Sequence, residues 1–125
     1  MLPTGGGAVS KVLVVDDDEA VRVSVCEILA AEGYETEAAM DGEQALALLG
    51  PDIDAMLLDL HLPKLDGIHV LNALDDGPVV IVLSAFEYRA RSEVENRYSD
   101  RVCAFLQKPV PPPMLLQTLR RCMSA

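Results

Sequence analysis

Several polar side chains stand directly after short apolar runs. "VLVV" is followed by Asp16, Asp17 and Asp18, "AMLL" by Asp59, "VVIVL" by Ser84, and "VCAFLQ" by Lys108. A carboxylate at the end of a buried run is costly unless something pairs with it. If the tips of these runs meet, Asp16, Asp17 and Asp59 crowd into one place, and three carboxylates that close require a proton or a cation. A hard divalent ion that takes oxygen ligands and keeps some of its waters meets the need, and Mg²⁺ fits best. Lys108 adds an ammonium and Ser84 a hydroxyl. Such a set suits one kind of chemistry in particular. A carboxylate can act as a nucleophile toward phosphorus, and phosphoryl transfer asks mainly for positioning and for neutralised charge on the phosphoryl oxygens.

The elements that must position these groups can be read from periodicity. Five short apolar runs, 12–15, 36–39, 55–58, 79–83 and 102–106, read as strands. Segments of helical period lie between them. The first spans 18–32, with Val21, Val25, Ile28 and Leu29 on one stripe and Gly33 closing it. The second opens at Asp41 with Gln44 three residues on, a capping-box pattern, and stops at "GP", 50–51. The third opens at Asp66 and runs to "DDGP", 75–78; the fourth, 87–98, carries few apolar residues; the fifth starts from "PPP", 111–113. Strict alternation of strand and helix predicts a parallel sheet covered by helices on both faces, an α/β fold. Run 36–39 is the most polar and is expected at an edge. In open parallel sheets, ligands bind beyond the carboxyl ends of the strands where strand order reverses. In the order 2-1-3-4-5, Asp16, Asp17 and Asp59 come from adjacent strand tips. Lys108 then starts about 10 Å away, at about 4.8 Å per strand.

Composition narrows the function classes. The chain has 125 residues and a formal charge of −10, and half of its residues are apolar. One domain is expected, with a flexible tail over 1–10 and the folded unit over 11–125. The charge argues against direct nucleic-acid binding, since phosphate contacts need Lys and Arg. The start "MLPTGGGAVSK" has neither a cationic head nor a long apolar stretch, and no run reaches a membrane span, so a cytoplasmic protein is expected. Cys26, Cys103 and Cys122 lack metal-ligand spacing and read as small core residues in a reducing compartment. Arg89, Arg91, Arg97 and Arg101 alternate with Glu87, Glu93, Glu95 and Asp100 and read as a solvated, self-paired helix face.

Taken in order, "VLVVDDDEA", "LLDLHLPKLDG", "VLSA" and "FLQKP" resemble the receiver domain of bacterial two-component response regulators. The resemblance runs from about Lys11 to the end. It implies the flavodoxin-like (βα)5 fold and a Mg²⁺-dependent phosphorylation switch. Carried over by position, it implies Asp59 as phospho-acceptor, Asp17 as direct Mg²⁺ ligand, Asp16 as a residue positioning the ion, and the backbone carbonyl of His61 as a further ligand. It also implies Ser84 as the switch hydroxyl, Lys108 as the pocket lysine, Phe105 as the aromatic switch residue and a cis Lys108–Pro109 bond. The implied partners are a sensor histidine kinase or phosphotransfer protein as donor, then a downstream protein or an effector domain. Whether two copies pair on phosphorylation stays open. So does the choice between a stand-alone receiver and part of a larger regulator.

The segment from Asp59 to Ser84 is short for such a domain and that from Ser84 to Lys108 slightly long, with "YSDRV" before the last strand. Three rivals remain at this point. A pseudo-receiver would share the fold without phosphorylation, yet each acidic-pocket position here is filled. A Mg²⁺-dependent phosphatase with an aspartate nucleophile often places a second Asp two residues on, where this chain has His61. A flavin-binding relative would need a phosphate loop after the first strand, where "DDD" would repel phosphate.

Overall fold

The computed structural model describes residues 10–60, 67–74, 77–84 and 101–124, with the backbone alone at 67 and 68. Five strands form one sheet: β1 (Lys11–Val15), β2 (Glu35–Ala39), β3 (Ala55–Leu58), β4 (Val79–Ser84) and β5 (Ala104–Gln107). Every pairing is parallel and the order is β2-β1-β3-β4-β5. Four helices are described: α1 (Glu19–Ala31), α2 (Gly42–Leu48), α3 (Gly67–Ala73) and α4 (Pro112–Met123). The fifth periodic segment of the sequence is α4; the fourth, 87–98, lies outside the described residues, as do the tail 1–9 and His61.

The continuous apolar strands make sense because both faces of the sheet are covered. Side chains alternate across a strand, so Val12, Val14, Leu57, Ile81 and Leu83 share one core with Val25 and Leu29 of α1 and Leu115 and Leu119 of α4. Leu13, Val15, Met56, Leu58, Val80 and Val82 share the other with Ala45 of α2 and Val70 and Leu71 of α3. Each fully buried Leu in these layers contributes about 1.5–3 kcal/mol relative to an exposed one. β2 sits at the edge, as its "ETEAA" composition predicts.

The helix ends follow local rules. The Asp18 carboxylate accepts from the amides of Ala20 and Val21 and so caps α1. α1 ends with Gly33 at φ +94°, a left-handed backbone that suits glycine. Gly33 and Tyr34 amides return to the carbonyls of Ala30 and Leu29. At α2, Asp41 accepts from the Gln44 amide at 2.8 Å, while the Gln44 side chain accepts from the Met40 amide at 2.9 Å. This is the predicted box with its return bond one residue earlier than usual. α4 starts with prolines in its first turn and ends with Arg120 and Arg121, placed well for the helix dipole.

Two expectations need correction. β5 begins at Ala104, not at Val102: the Cys103 amide reaches the Val80 carbonyl at 2.8 Å, but regular pairing starts one residue later. Cys103 and Cys122 are not reduced core residues. They form a disulfide, with Cys103 exposed, and Cys26 alone is a free thiol. The error came from reading spacing along the chain, whereas the pairing depends on α4 returning alongside β5. The Arg101 guanidinium donates to the Leu74 carbonyl, just past the end of α3; the acidic residues expected to pair with it lie outside the described residues. No helix among the described residues is long and apolar enough to cross a membrane.

The buried Asp41 carries a cap that can be tested directly. Asp41→Ala is expected to lower unfolding free energy by about 1 kcal/mol, and by no more than about 2, in urea denaturation followed by circular dichroism. An unchanged midpoint would show that the box contributes nothing.

Candidate functional site

The site grows out of the strand tips. β1 and β3 are hydrogen-bonded neighbours with Val15 opposite Leu58, and the next residues in each strand direction are Asp16 and Asp59. The backbone extends the pairing past the strand ends: the Asp16 amide donates to the Ala39 carbonyl at 3.1 Å and the Asp59 amide to the Val15 carbonyl at 3.0 Å. Both aspartates are therefore held by main-chain bonds, and both are buried, at 3 % and 6 % exposure. Asp17, one residue on, is exposed. Carboxylate oxygens of Asp16, Asp17 and Asp59 nonetheless lie within 4.8 Å of one another.

Lys108 arrives from two strands away. It follows β5 directly, its amide donates to the Ser84 carbonyl at 2.9 Å, and it precedes a cis bond to Pro109, as the resemblance implied. Its ammonium bridges Asp16 and Asp59, with Nζ 3.1 Å from Asp59 Oδ2. Sequence reading paired it with Asp59; the structure adds Asp16. Burial works against the charged ammonium, but the hydrogen bonds and charges of Asp16 and Asp59 outweigh it, and the pKa of Lys108 is raised above the ordinary lysine range.

Asp16 is held at both carboxylate oxygens and at its carbonyl. Its Oδ1 accepts from the Asp18 amide at 2.9 Å, and its Oδ2 accepts from Lys108. Its carbonyl accepts from Arg22 Nη1 at 2.8 Å. Arg22 is a site residue that sequence reading missed. The available signal was its position one helical turn after the cap Asp18, which puts it on the side of α1 that overlooks the strand tip. Ser84 is buried at the tip of β4, the strand beside β3. Phe105 lies opposite Val82 on β5, half-buried against the core shared with α2 and α3. His69 is exposed on α3. His61 lies outside the described residues.

The charge balance says what the pocket can hold. Three carboxylates face one ammonium, which leaves two formal negative charges on oxygen donors. That set fits a divalent ion with hard-oxygen preference, and Mg²⁺ in particular, because exposed Asp17 leaves room for retained waters. The carboxylates of Asp16, Asp17 and Asp59 together form the oxygen-donor set such an ion could use.

The comparisons with known proteins agree with this geometry. Residues 12–120 match the family model described as the response regulator receiver domain. The response regulator MprA of Mycolicibacterium vanbaalenii is 38 % identical over 120 residues, covering 92 % of this chain and 49 % of that protein. MprA of Mycobacterium tuberculosis is 37 % identical, with the same coverage. The chain thus spans about half the length of the curated relatives it matches. Among solved structures, a CheY-like receiver domain protein from Methanospirillum hungatei superposes with a TM-score of 0.83 at 28 % identity, covering 93 % of this chain and 94 % of that one. The chemotaxis protein CheY4 of Vibrio cholerae superposes at 0.81 and 29 % identity, covering 92 % and 99 %.

Two outcomes test the charge balance. Lys108→Ala in chelator-treated buffer is expected to lose about 1–3 kcal/mol of unfolding free energy, because Asp16 and Asp59 stay buried without their counter-charge. Millimolar Mg²⁺ should restore more stability to this variant than to the wild type. Asp17→Asn should weaken Mg²⁺ binding at least about tenfold in calorimetric titration. Equal Mg²⁺ affinity in Asp17→Asn and wild type would remove Asp17 from the metal site.

Proposed function

The chain belongs to the response regulator receiver domain family, and from that premise we propose that it is a phosphorylatable signalling switch that accepts a phosphoryl group on Asp59. The observation that carries this reading is the burial of Asp59 at a strand tip beside an ammonium at 3.1 Å and two further carboxylates. Family membership supports a role in two-component signalling, as do the response regulators among its relatives.

In the proposed reaction a sensor histidine kinase or a phosphotransfer protein presents a phosphohistidine. An Asp59 oxygen attacks phosphorus, the phosphorus–nitrogen bond breaks, and the electron pair leaves with the imidazole, which takes up a proton. The product is an aspartyl phosphate. Asp17, Asp59 and the carbonyl of His61 would hold Mg²⁺, with Asp16 positioning it; the ion, when bound, supplies positive charge to the phosphoryl oxygens. Asp16 keeps Lys108 aimed at the same point, and Lys108 offers its ammonium to a phosphoryl oxygen. The domain acts as a signalling unit and not as an enzyme turning over an external substrate.

The signal would leave through Ser84 and Phe105. Ser84 closes on the phosphoryl group, Phe105 turns further inward beside β4, and the surface made by segment 87–98, β5 and α4 changes shape. That surface would meet a downstream protein or an effector domain, and a second copy of the chain is a further candidate for it. The reading places the domain at 11–125, after a tail at 1–10, in the cytoplasm where a kinase can reach it.

The test is incubation with a small phosphodonor, with and without Mg²⁺, followed by intact-mass measurement. Wild type should gain one phosphoryl group only when Mg²⁺ is present, and Asp59→Asn should gain none. Phosphoryl uptake by Asp59→Asn equal to wild type would move the acceptor elsewhere, and the absence of uptake by folded wild type would favour a pseudo-receiver.

A further inference from the structure

The disulfide lies outside the acidic pocket and plays no part in the proposed phosphorylation. Cys103 immediately precedes β5 and Cys122 belongs to the last turn of α4; they are 19 residues apart in sequence and 6.0 Å apart at Cα. The closed loop therefore contains all of β5, the Lys108–Pro109 turn and nearly all of α4. One end is fixed in the sheet, since the Cys103 amide bonds to the Val80 carbonyl. The other end is a helix terminus. Leu115 and Leu119 hold the middle of α4 on the core, and Cys122 holds its end. The bridge also stands at the opposite end of β5 from Lys108, roughly 13–17 Å along the strand.

We propose that Cys103 and Cys122 are a reversible thiol–disulfide couple, a redox-modification site whose oxidised form clamps the end of α4 to the base of β5. Exposure is the reason to assign reversibility: Cys103 is an exposed residue and Cys122 a half-buried one, and exposed disulfides are the labile ones. Oxidation by a low-molecular-weight disulfide balances in two exchanges. The Cys103 thiolate attacks one sulfur of the small disulfide, its sulfur–sulfur bond breaks, and the first small thiol leaves. The Cys122 thiolate then attacks the Cys103 sulfur of the mixed disulfide and expels the second small thiol. Two electrons pass from the cysteine pair to the small disulfide, and the two cysteine protons end on the two released thiols. Reduction runs the same steps backwards. Oxidation shortens the excursions open to α4 and to β5, the strand that carries Phe105 and leads into Lys108.

The test uses the full chain in buffers of graded glutathione to glutathione-disulfide ratio. Samples are acid-quenched, alkylated under denaturing conditions and weighed intact. Wild type should take one alkyl group, on Cys26, at the oxidising end and three at the reducing end, and a Cys26→Ser variant should take none and two. Backbone hydrogen exchange of 104–107 and 112–123 should be at least about tenfold slower in the oxidised form, and Cys103→Ser in oxidising buffer should match reduced wild type. Three alkyl groups throughout would deny the bridge. One group even at the reducing end would deny reversibility. Identical exchange in the two forms of wild type, a comparison that needs no variant to fold, would deny the clamp. Each of these readouts is independent of phosphorylation.

Discussion

One ammonium holds the ends of three strands together. Lys108 joins Asp16 at the tip of β1 to Asp59 at the tip of β3, and it comes from the tip of β5. Two buried carboxylates on adjacent strands would repel each other at close range in a poorly screened setting. The lysine turns that repulsion into a bridge, at the cost of its own partial desolvation. The rest of the pocket is arranged around this contact. Main-chain bonds continue the sheet past β1 and β3 so that neither acid can swing away, and the Asp18 amide and Arg22 occupy the remaining acceptors of Asp16. The one acid left exposed is Asp17. The site is thus rigid where charge is buried and open where an ion with its water can enter.

The same constraint explains the division of labour in the fold. A parallel sheet with both faces covered can put charge only at its ends, because its middle is filled by Val, Leu, Ile and Met. α1 and α4 cover one face, and α2 and α3 the other. Because all five strands are parallel, the carboxyl ends of β1, β3, β4 and β5 lie at one end of the sheet. Polar function and apolar stability are separated along the strands and not across them.

Much of this was legible in the chain. Run 55–58 matches β3 residue for residue, Asp18 at the start of the 18–32 segment caps α1, and the Asp41–Gln44 box opens α2. These features depend on neighbours within four residues, and local chemistry decides them. Alternation of strand and helix made the parallel sheet accessible, and the strand order 2-1-3-4-5 came with the flavodoxin-like fold that the resemblance implied. What escaped notice depends on distance through space. The Lys108–Asp16 contact spans 92 positions, Arg101 reaches back 27 positions to Leu74, and Cys122 meets Cys103 only because α4 folds back along β5. Arg22 was overlooked for a different reason: its partner is a carbonyl, which no side-chain pattern announces.

The edge strand β2 reads Glu35-Thr36-Glu37-Ala38-Ala39, with Glu35 exposed and Glu37 only partly covered. An open strand of this kind normally invites a neighbouring molecule to add its own backbone to the sheet. Two copies approaching along this border would bring like charges face to face, in a chain that already carries a formal charge of −10. Glu37 is already paired with Lys11 at 3.6 Å, so exposed Glu35 is the charge that would weigh against a second copy adding to the sheet along β2.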